Sequence, residues 1–286
     1  MSPDVMAFDT IIDHNLEPEL FSFRIMEEFI EVLNRKNLEN YPVHIKLDTG
    51  MHRLGFMQSE IESLIGQLKG NKTLKVISIF SHLVASDEPE HDEFTRHQLE
   101  EFNKMSSQIM EVLEYPVFRH IANTSAISRW PDSQFDMVRL GIGLYGIDSA
   151  HPDKSPLQTV TSLKTSISQI KIIAPGDSIG YSREGIMPEG GKIATVKIGY
   201  ADGYSRALGN GVGKMLINGK TVPTIGKICM DMCMLDITGL DVSEGDEVIV
   251  FNDQVKVEDI ARSINTIPYE ILTGISQRVK RVYYYE

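Results

Sequence analysis

Cysteine is nearly absent from this chain: there are two in 286 residues, Cys229 and Cys233. They lie in Cys229-Met230-Asp231-Met232-Cys233. A bridge across two same-face positions of one strand is geometrically poor, and zinc would need further ligands nearby. Both read as small core residues, and no metal site is expected. Positive charge is also scarce, with 28 Lys and Arg against 40 Asp and Glu and a net charge of −12. That balance argues against a nucleic-acid or membrane-surface binder, either of which needs a basic patch. No apolar run approaches the ~18 residues of a membrane span, and the N-terminus lacks a basic-then-apolar leader pattern. The chain therefore reads as cytoplasmic. Internal repeats and low-complexity tracts are missing as well.

What is present is an alternation. A short helical pattern over 2–12 precedes a strand over Leu16–Ser22 and a helix over Arg24–Lys36, with Ile25, Phe29, Val32 and Leu33 at helical spacing. Strands follow over His44–Gly50, Leu74–Leu83 and Val117–Ala122, with helices over Ser59–Lys69 and Glu93–Leu113 between them. A last buried strand, Met137–Leu140, runs into the glycine-spaced Gly141-Ile142-Gly143. Strand and helix alternate five times, and chemically loaded residues follow each strand. This is the signature of a parallel α/β sheet, and loaded strand ends are typical of a β/α barrel. Five repeats are fewer than a barrel's eight, so either the sheet is open or strands are missing from the front. After about Ser155 the pattern becomes all-β. Strands are expected over Leu163–Ile173, Ile193–Ile198, Met215–Ile217, Cys229–Ile237, Glu247–Phe251 and Val279–Tyr284, with a turn at Asn218-Gly219 and a helix over Val257–Ile264. The expected domains are 1–155, a partial barrel that holds a cofactor, and 156–286, a β domain.

The candidate chemistry sits at the strand ends. Lys46 and Arg53 flank Asp48-Thr49-Gly50, where two cations on one rim suggest an anionic ligand; a capped loop with solvated cations explains the same residues. His82 ends its strand beside Ser81. Asn123-Thr124-Ser125 opens a helix, which suits phosphate, although ordinary capping also accounts for it. Arg139 with Gly141 and Ile142 forms a neighbouring anion edge, and in β/α barrels paired loops late in the barrel often hold phosphate. Tyr181, Tyr200, Tyr204 and Tyr269 lie at turns of the β domain. A tyrosine is a poor base at its ordinary pKa of ~10 and needs nearby cations to lower it.

Taken together, Lys46–Gly55, His82–Asp87, Ala122–Ala126, Val138–Gly146, Gly199–Gly203 and Ile228–Met232 resemble the alanine racemases, pyridoxal-phosphate enzymes with a β/α barrel followed by a β domain. The resemblance implies an isomerase that interconverts L- and D-alanine for peptidoglycan synthesis. It also assigns roles. Arg139 would bond the cofactor's pyridine nitrogen, disfavouring its protonation, and Thr124, Gly141 and Ile142 would hold the phosphate, with Tyr269 adding a hydroxyl. Thr124 stands where the family pattern has serine. Arg53 would bond the phenolic oxygen and reach substrate, steadied by Lys46, which is carbamylated in some members. Tyr181 matches the tyrosine base, served by His82 and Arg139, although Gly180-Tyr181-Ser182 departs from the usual Ser-Tyr-Gly. Tyr181, the Met230 backbone and Asp231 would come from the partner of a homodimer, and Tyr200 would line the substrate site.

One family motif is missing. No Lys-Ala-Asn-Ala-Tyr-Gly-like sequence occurs, and the first lysine is Lys36, inside a helical pattern. The expectation is a fragment without the first three barrel strands and without the Schiff-base lysine, inactive alone, whose parent could be a fusion behind a peptidoglycan ligase. A non-catalytic cofactor-binding or dimerisation module is the alternative, and an amino-acid decarboxylase of the same fold group a weaker one.

Overall fold

A computed structural model describes residues 3–151 and 156–284. The chain divides into two compact units, Met1–Leu157 and Gln158–Glu286.

The first unit alternates helix and strand: α1 (Phe8–Asp13), β1 (Glu19–Leu20), α2 (Phe23–Arg35), β2 (Tyr41–Lys46), α3 (Ile61–Leu68), β3 (Leu74–Phe80), α4 (Asp92–Met110), β4 (Phe118–His120) and α5 (Thr124–Arg129). Its strands form a parallel sheet in the order β1-β2-β3-β4. Local chemistry sets the helices. The Ser22 hydroxyl accepts from the Ile25 amide and starts α2, which buries Ile25, Met26, Phe29, Val32 and Leu33 along one face. Phe29 meets Phe8 and Tyr41 edge-on, with centroids 5.0 and 5.5 Å away. Burying a side chain of that size contributes about 2 kcal/mol. In α4 the fully buried Gln98 accepts from the Val84 amide and donates to the His82 carbonyl, fixing the loop beyond β3.

The expected fifth strand, Met137–Leu140, does not form. The backbone amides of Asp136 and Arg139 donate to the carbonyls of Arg119 and Ala122, contacts spaced three residues apart on each segment, where a parallel ladder needs two. Met137, Val138 and Leu140 are exposed rather than buried. The apolar composition suits a strand, but the spacing of the two backbone bonds does not make a ladder with the β4 segment. The β1 region is likewise shorter than Leu16–Ser22, pairing only through Glu19 and Leu20.

The second unit contains β5 (Leu163–Ile173), β6 (Ser178–Ile179), β7 (Gly185–Ile186), β8 (Gly191–Val196), β9 (Lys214–Ile217), β10 (Lys220–Ile225), β11 (Cys233–Asp236), β12 (Glu247–Phe251), α6 (Val257–Ser263) and α7 (Pro268–Gly274). Six antiparallel strands close into a barrel, β10-β11-β8-β5-β12-β9, and β6–β7 make a separate hairpin. Asn218 and Gly219 both take positive φ, 49° and 76°, the turn geometry that matches strand twist between β9 and β10. Two expected strands need correction. Cys229–Met232 is loop, so only Cys233 is a buried strand residue and Cys229 is half-buried; both thiols are free. Val279–Tyr284 is irregular, because the Arg281 guanidinium draws the chain to the carbonyls of Ile275, Ser276 and Val279 instead of a neighbouring strand. Among the described residues, no helix is long and apolar enough to cross a membrane.

Candidate functional site

The C-terminal ends of β1, β2 and β3 surround a cavity of about 300 Å³ lined by Glu19, Lys46, Arg53, Leu54, Phe80, His82 and Arg139. Four of the residues singled out in the sequence, Lys46, Arg53, His82 and Arg139, meet here. Their positions follow from the strand ends. Lys46 is the last residue of β2, and its ammonium lies over the Phe80 ring, 4.7 Å from the centroid. Past it the chain makes a tight loop: the Asp48 carboxylate accepts from the amides of Gly50 and His52, at 2.9 and 3.0 Å. Phe56 then returns to β2, donating to the Lys46 carbonyl, so that Arg53 overhangs the cavity. Ser81, just beyond β3, donates to the Leu47 carbonyl and ties the two loop stems together.

Arg139 is held on all sides. Its guanidinium donates to the Ser81 carbonyl at 2.7 Å, the Ile121 carbonyl at 3.3 Å, His82 Nδ1 at 3.4 Å and His120 Nδ1. Among the described residues, its Nε–H is the donor left without a partner. Three cations face one carboxylate, Glu19. Burial pushes the Lys46 ammonium and the Arg139 guanidinium below their ordinary pKa values, and the Arg139 charge pushes Lys46 further down. His82 falls to about 4 and His120 to about 3, by burial first and then by the Arg139 charge.

The two depressed histidines make unit 1 sensitive to acid. Unfolded, each titrates near 6.5; folded, each stays neutral to much lower pH, so below about 6.5 the unfolded chain binds more protons. Their contribution is present above the unfolded pKa and is lost as pH falls toward the folded values. Between pH 7 and pH 5, stability should drop by about 2 kcal/mol for each histidine. Urea unfolding followed by the fluorescence of Trp130, the sole tryptophan, checks this in unit 1.

Beside the cavity, Thr124, Gly141 and Ile142 form a second cluster. Asn123 caps α5 through the Ala126 amide, and Thr124 Oγ1 accepts from the amides of Gly141 and Gly143, at 2.9 and 3.3 Å. A side chain at Gly143 would strike Leu140 and Thr124, at 2.6 and 2.9 Å. With its lone pairs used, the Thr124 hydroxyl has its O–H free to donate, and the Ile142 amide has no partner among the described residues.

The remaining predicted residues belong to unit 2. Tyr200, Met230 and Asp231 are neighbours there, because the amides of Tyr200 and Ala201 donate to the carbonyls of Cys229 and Met230, each at 3.0 Å. Arg278, which the sequence reading missed, bridges Asp202 and Asp231 at 2.7 and 2.6 Å. Tyr181 stands on the β6–β7 tip, 65% exposed, before Ser182 and Arg183 at positive φ. Tyr269 lies in the first turn of α7 and is exposed. In unit 1 the reading also missed Glu19, Leu54, Phe80 and His120; only His120, an ionisable residue at a strand end, carried a usable signal.

A parallel α/β sheet with a cation-lined cavity at its strand ends is joined in sequence to a closed β barrel, the class of two-domain protein to be matched. Known proteins fix the family. The profile for the alanine racemase N-terminal domain matches residues 2–149, and that for the C-terminal domain matches 160–283. Alanine racemase 1 of Clostridium acetobutylicum is 39% identical, over 96% of this chain and 73% of its own. The alanine racemase structure from Clostridium difficile 630 superposes with a TM-score of 0.89 at 34% identity, covering 99% of this chain and 74% of that one. Equally similar, at 0.89 and 31% identity, is an alanine racemase from Bartonella henselae with covalently bound pyridoxal phosphate, covering 99% and 77%. The chain belongs to the alanine racemase family, pyridoxal-phosphate-dependent isomerases.

Proposed function

We infer that unit 1 holds pyridoxal 5′-phosphate for alanine racemisation. The observation that carries this is the donor set: a cavity rich in cations, one uncommitted Arg139 N–H, and a neighbouring hydroxyl and amide at Thr124 and Ile142. These suit a flat, anionic heterocycle with a phosphate arm. When bound, the cofactor supplies an electron sink that acidifies the α-hydrogen of an attached amino acid.

This chain's residues do the rest. Arg139, a fixed cation, offers a hydrogen bond to the ring nitrogen and disfavours proton delivery there. Arg53, steadied by Lys46, takes the phenolic oxygen and the substrate, while the Thr124 hydroxyl and the Ile142 amide take the phosphate. Gly141, whose amide donates to Thr124, leaves room for the phosphate, and Tyr269 is a further hydroxyl donor. His82 accepts from Arg139 through Nδ1, so its own proton lies on Nε2, where it can donate to a phenolic oxygen. We assign the proton-moving phenol to Tyr181 and substrate contacts to the Met230 backbone and Asp231, these three contributed by a second copy in a homodimer, with Tyr200 a further substrate contact. The chain contains no Lys-Ala-Asn-Ala-Tyr-Gly-like motif, and Lys46 steadies Arg53, so the chain alone holds the cofactor without turnover.

Co-expression tests this. With pyridoxal phosphate, the 286-residue chain alone should form no D-alanine. Adding a segment that carries such a lysine motif should give D-alanine at a rate at least ~100-fold above the assay background, the scale of one positioned acid–base group. Turnover by the chain alone would overturn the need for that lysine; none with the segment would overturn the racemase reading.

A further inference from the structure

Arg139 is braced from behind by side chains that do not line the cavity. Its guanidinium donates to His120 Nδ1, and His120 Nε2 lies 3.0 Å from Ser78 Oγ. Ser78 Oγ is 2.7 Å from His44 Nδ1, and His44 Nε2 is 3.0 Å from Glu17 Oε2. The series crosses three adjacent strands: His120 ends β4, Ser78 is on β3 and His44 on β2. A register shift between Val43 and His44 sets His44 directly opposite Ser78, the kind of irregularity that re-aims a side chain.

The direction of every link follows from its two ends. A guanidinium only donates, so His120 Nδ1 accepts and the ring's proton sits on Nε2. That N–H donates to Ser78 Oγ, which leaves the Ser78 hydroxyl hydrogen for His44 Nδ1. His44 therefore carries its proton on Nε2 and donates to Glu17, a carboxylate that only accepts. Read from either end, the direction is the same, and no link is left with two donors or two acceptors. Ser78 and His120 are buried, at 2% and 5% exposure, where such a chain is least disturbed by water.

We propose that Glu17, His44, Ser78 and His120 are positioning residues: a one-way hydrogen-bond chain that keeps His120 a neutral acceptor and thereby fixes the Arg139 guanidinium at the cavity wall. The depressed pKa of His120, about 3, agrees with a ring that stays neutral. The link to ligand binding rests on the pyridoxal-phosphate reading; the chain itself does not.

The test uses the whole 286-residue chain with ¹⁵N-labelled histidine, reading by long-range ¹H–¹⁵N spectra at pH 7 which ring nitrogen bears the proton. In both His120 and His44 the spectra should show Nε2 bearing the proton and Nδ1 as the acceptor. In Ser78→Ala, His44 should lose that preference and exchange between tautomers. Pyridoxal phosphate binding by equilibrium dialysis should weaken about fivefold, the scale of one lost hydrogen bond near 1 kcal/mol. Ser78→Thr, which keeps the hydroxyl, should restore both. Glu17→Ala, at an exposed position that leaves the core untouched, should release the His44 tautomer in the same way. A proton on Nδ1 of His120 or His44, or His44 spectra unchanged in Ser78→Ala and Glu17→Ala, would overturn the proposal. A wild-type chain with the expected tautomers that binds no pyridoxal phosphate counts instead against the functional reading.

Discussion

Arg139→Ala should destabilise unit 1 by roughly 2–4 kcal/mol, because it strips the donor from several acceptors at once. The cause is what the substitution leaves behind. The carbonyls of Ser81 and Ile121 and the Nδ1 atoms of His82 and His120 all lose their donor, and each buried acceptor left unsatisfied costs about 1–3 kcal/mol. Removing the cation also withdraws one cause of the low pKa at both histidines, so His82 should titrate above its wild-type value of about 4, with burial still holding it below 6.5. Trp130 fluorescence in urea measures the first effect and histidine spectra the second. An Arg139→Ala chain as stable as wild type would show that the guanidinium is not what joins β3, β4 and the following turn.

Gly55→Ala is expected to disrupt the loop that carries Arg53. Gly55 takes φ of +125°, which disfavours any other residue, and an added Cβ would lie 2.6 Å from both the Asp48 nitrogen and the Leu47 carbonyl carbon. Neither is a flexible side chain that can swing aside; both belong to the chain leaving β2. Backbone strain of this kind costs about 1–3 kcal/mol, and the clash adds to it. The return bonds between Phe56 and β2 should therefore weaken and Arg53 should leave the cavity rim. Urea unfolding and amide exchange at Asp48 and Phe56 would show this. Gly66→Ala, inside α3 where an added Cβ meets nothing within 4 Å, is the control: exchange at Asp48 and Phe56 should be unchanged, and stability should rise by up to about 1 kcal/mol as Ala replaces Gly in a helix.

Much of the fold could be read from local pattern. The α2 and α4 helices follow from apolar spacing, β5 and β12 from alternation or a compact apolar run, and the β9–β10 turn from Asn218-Gly219. Where pattern failed, the missing information was non-local. Met137–Leu140 has a strand's composition, but composition does not set the spacing of its backbone bonds. Val279–Tyr284 alternates suitably, yet Arg281 takes the preceding carbonyls. At the site, Lys46, Arg53, His82 and Arg139 stood out as ionisable residues at or just beyond the ends of the expected strands. Glu19 and Phe80 did not, being unremarkable as strand residues until the sheet sets them against the same cavity. The roles of Tyr181, Tyr200, Met230, Asp231 and Tyr269 rest on family resemblance, since nothing in their local sequence distinguishes a catalytic tyrosine from a packing one.

The central claim is that unit 1 holds pyridoxal phosphate through Arg139 and the Thr124–Ile142 cluster. Titration of the chain with pyridoxal 5′-phosphate at pH 7, followed by absorbance and equilibrium dialysis, tests it most directly. Saturable binding of one cofactor per chain is predicted, reversible on dialysis, lost in Arg139→Ala and weakened in Thr124→Ala. No saturable binding, or binding that Arg139→Ala leaves intact, would contradict the claim.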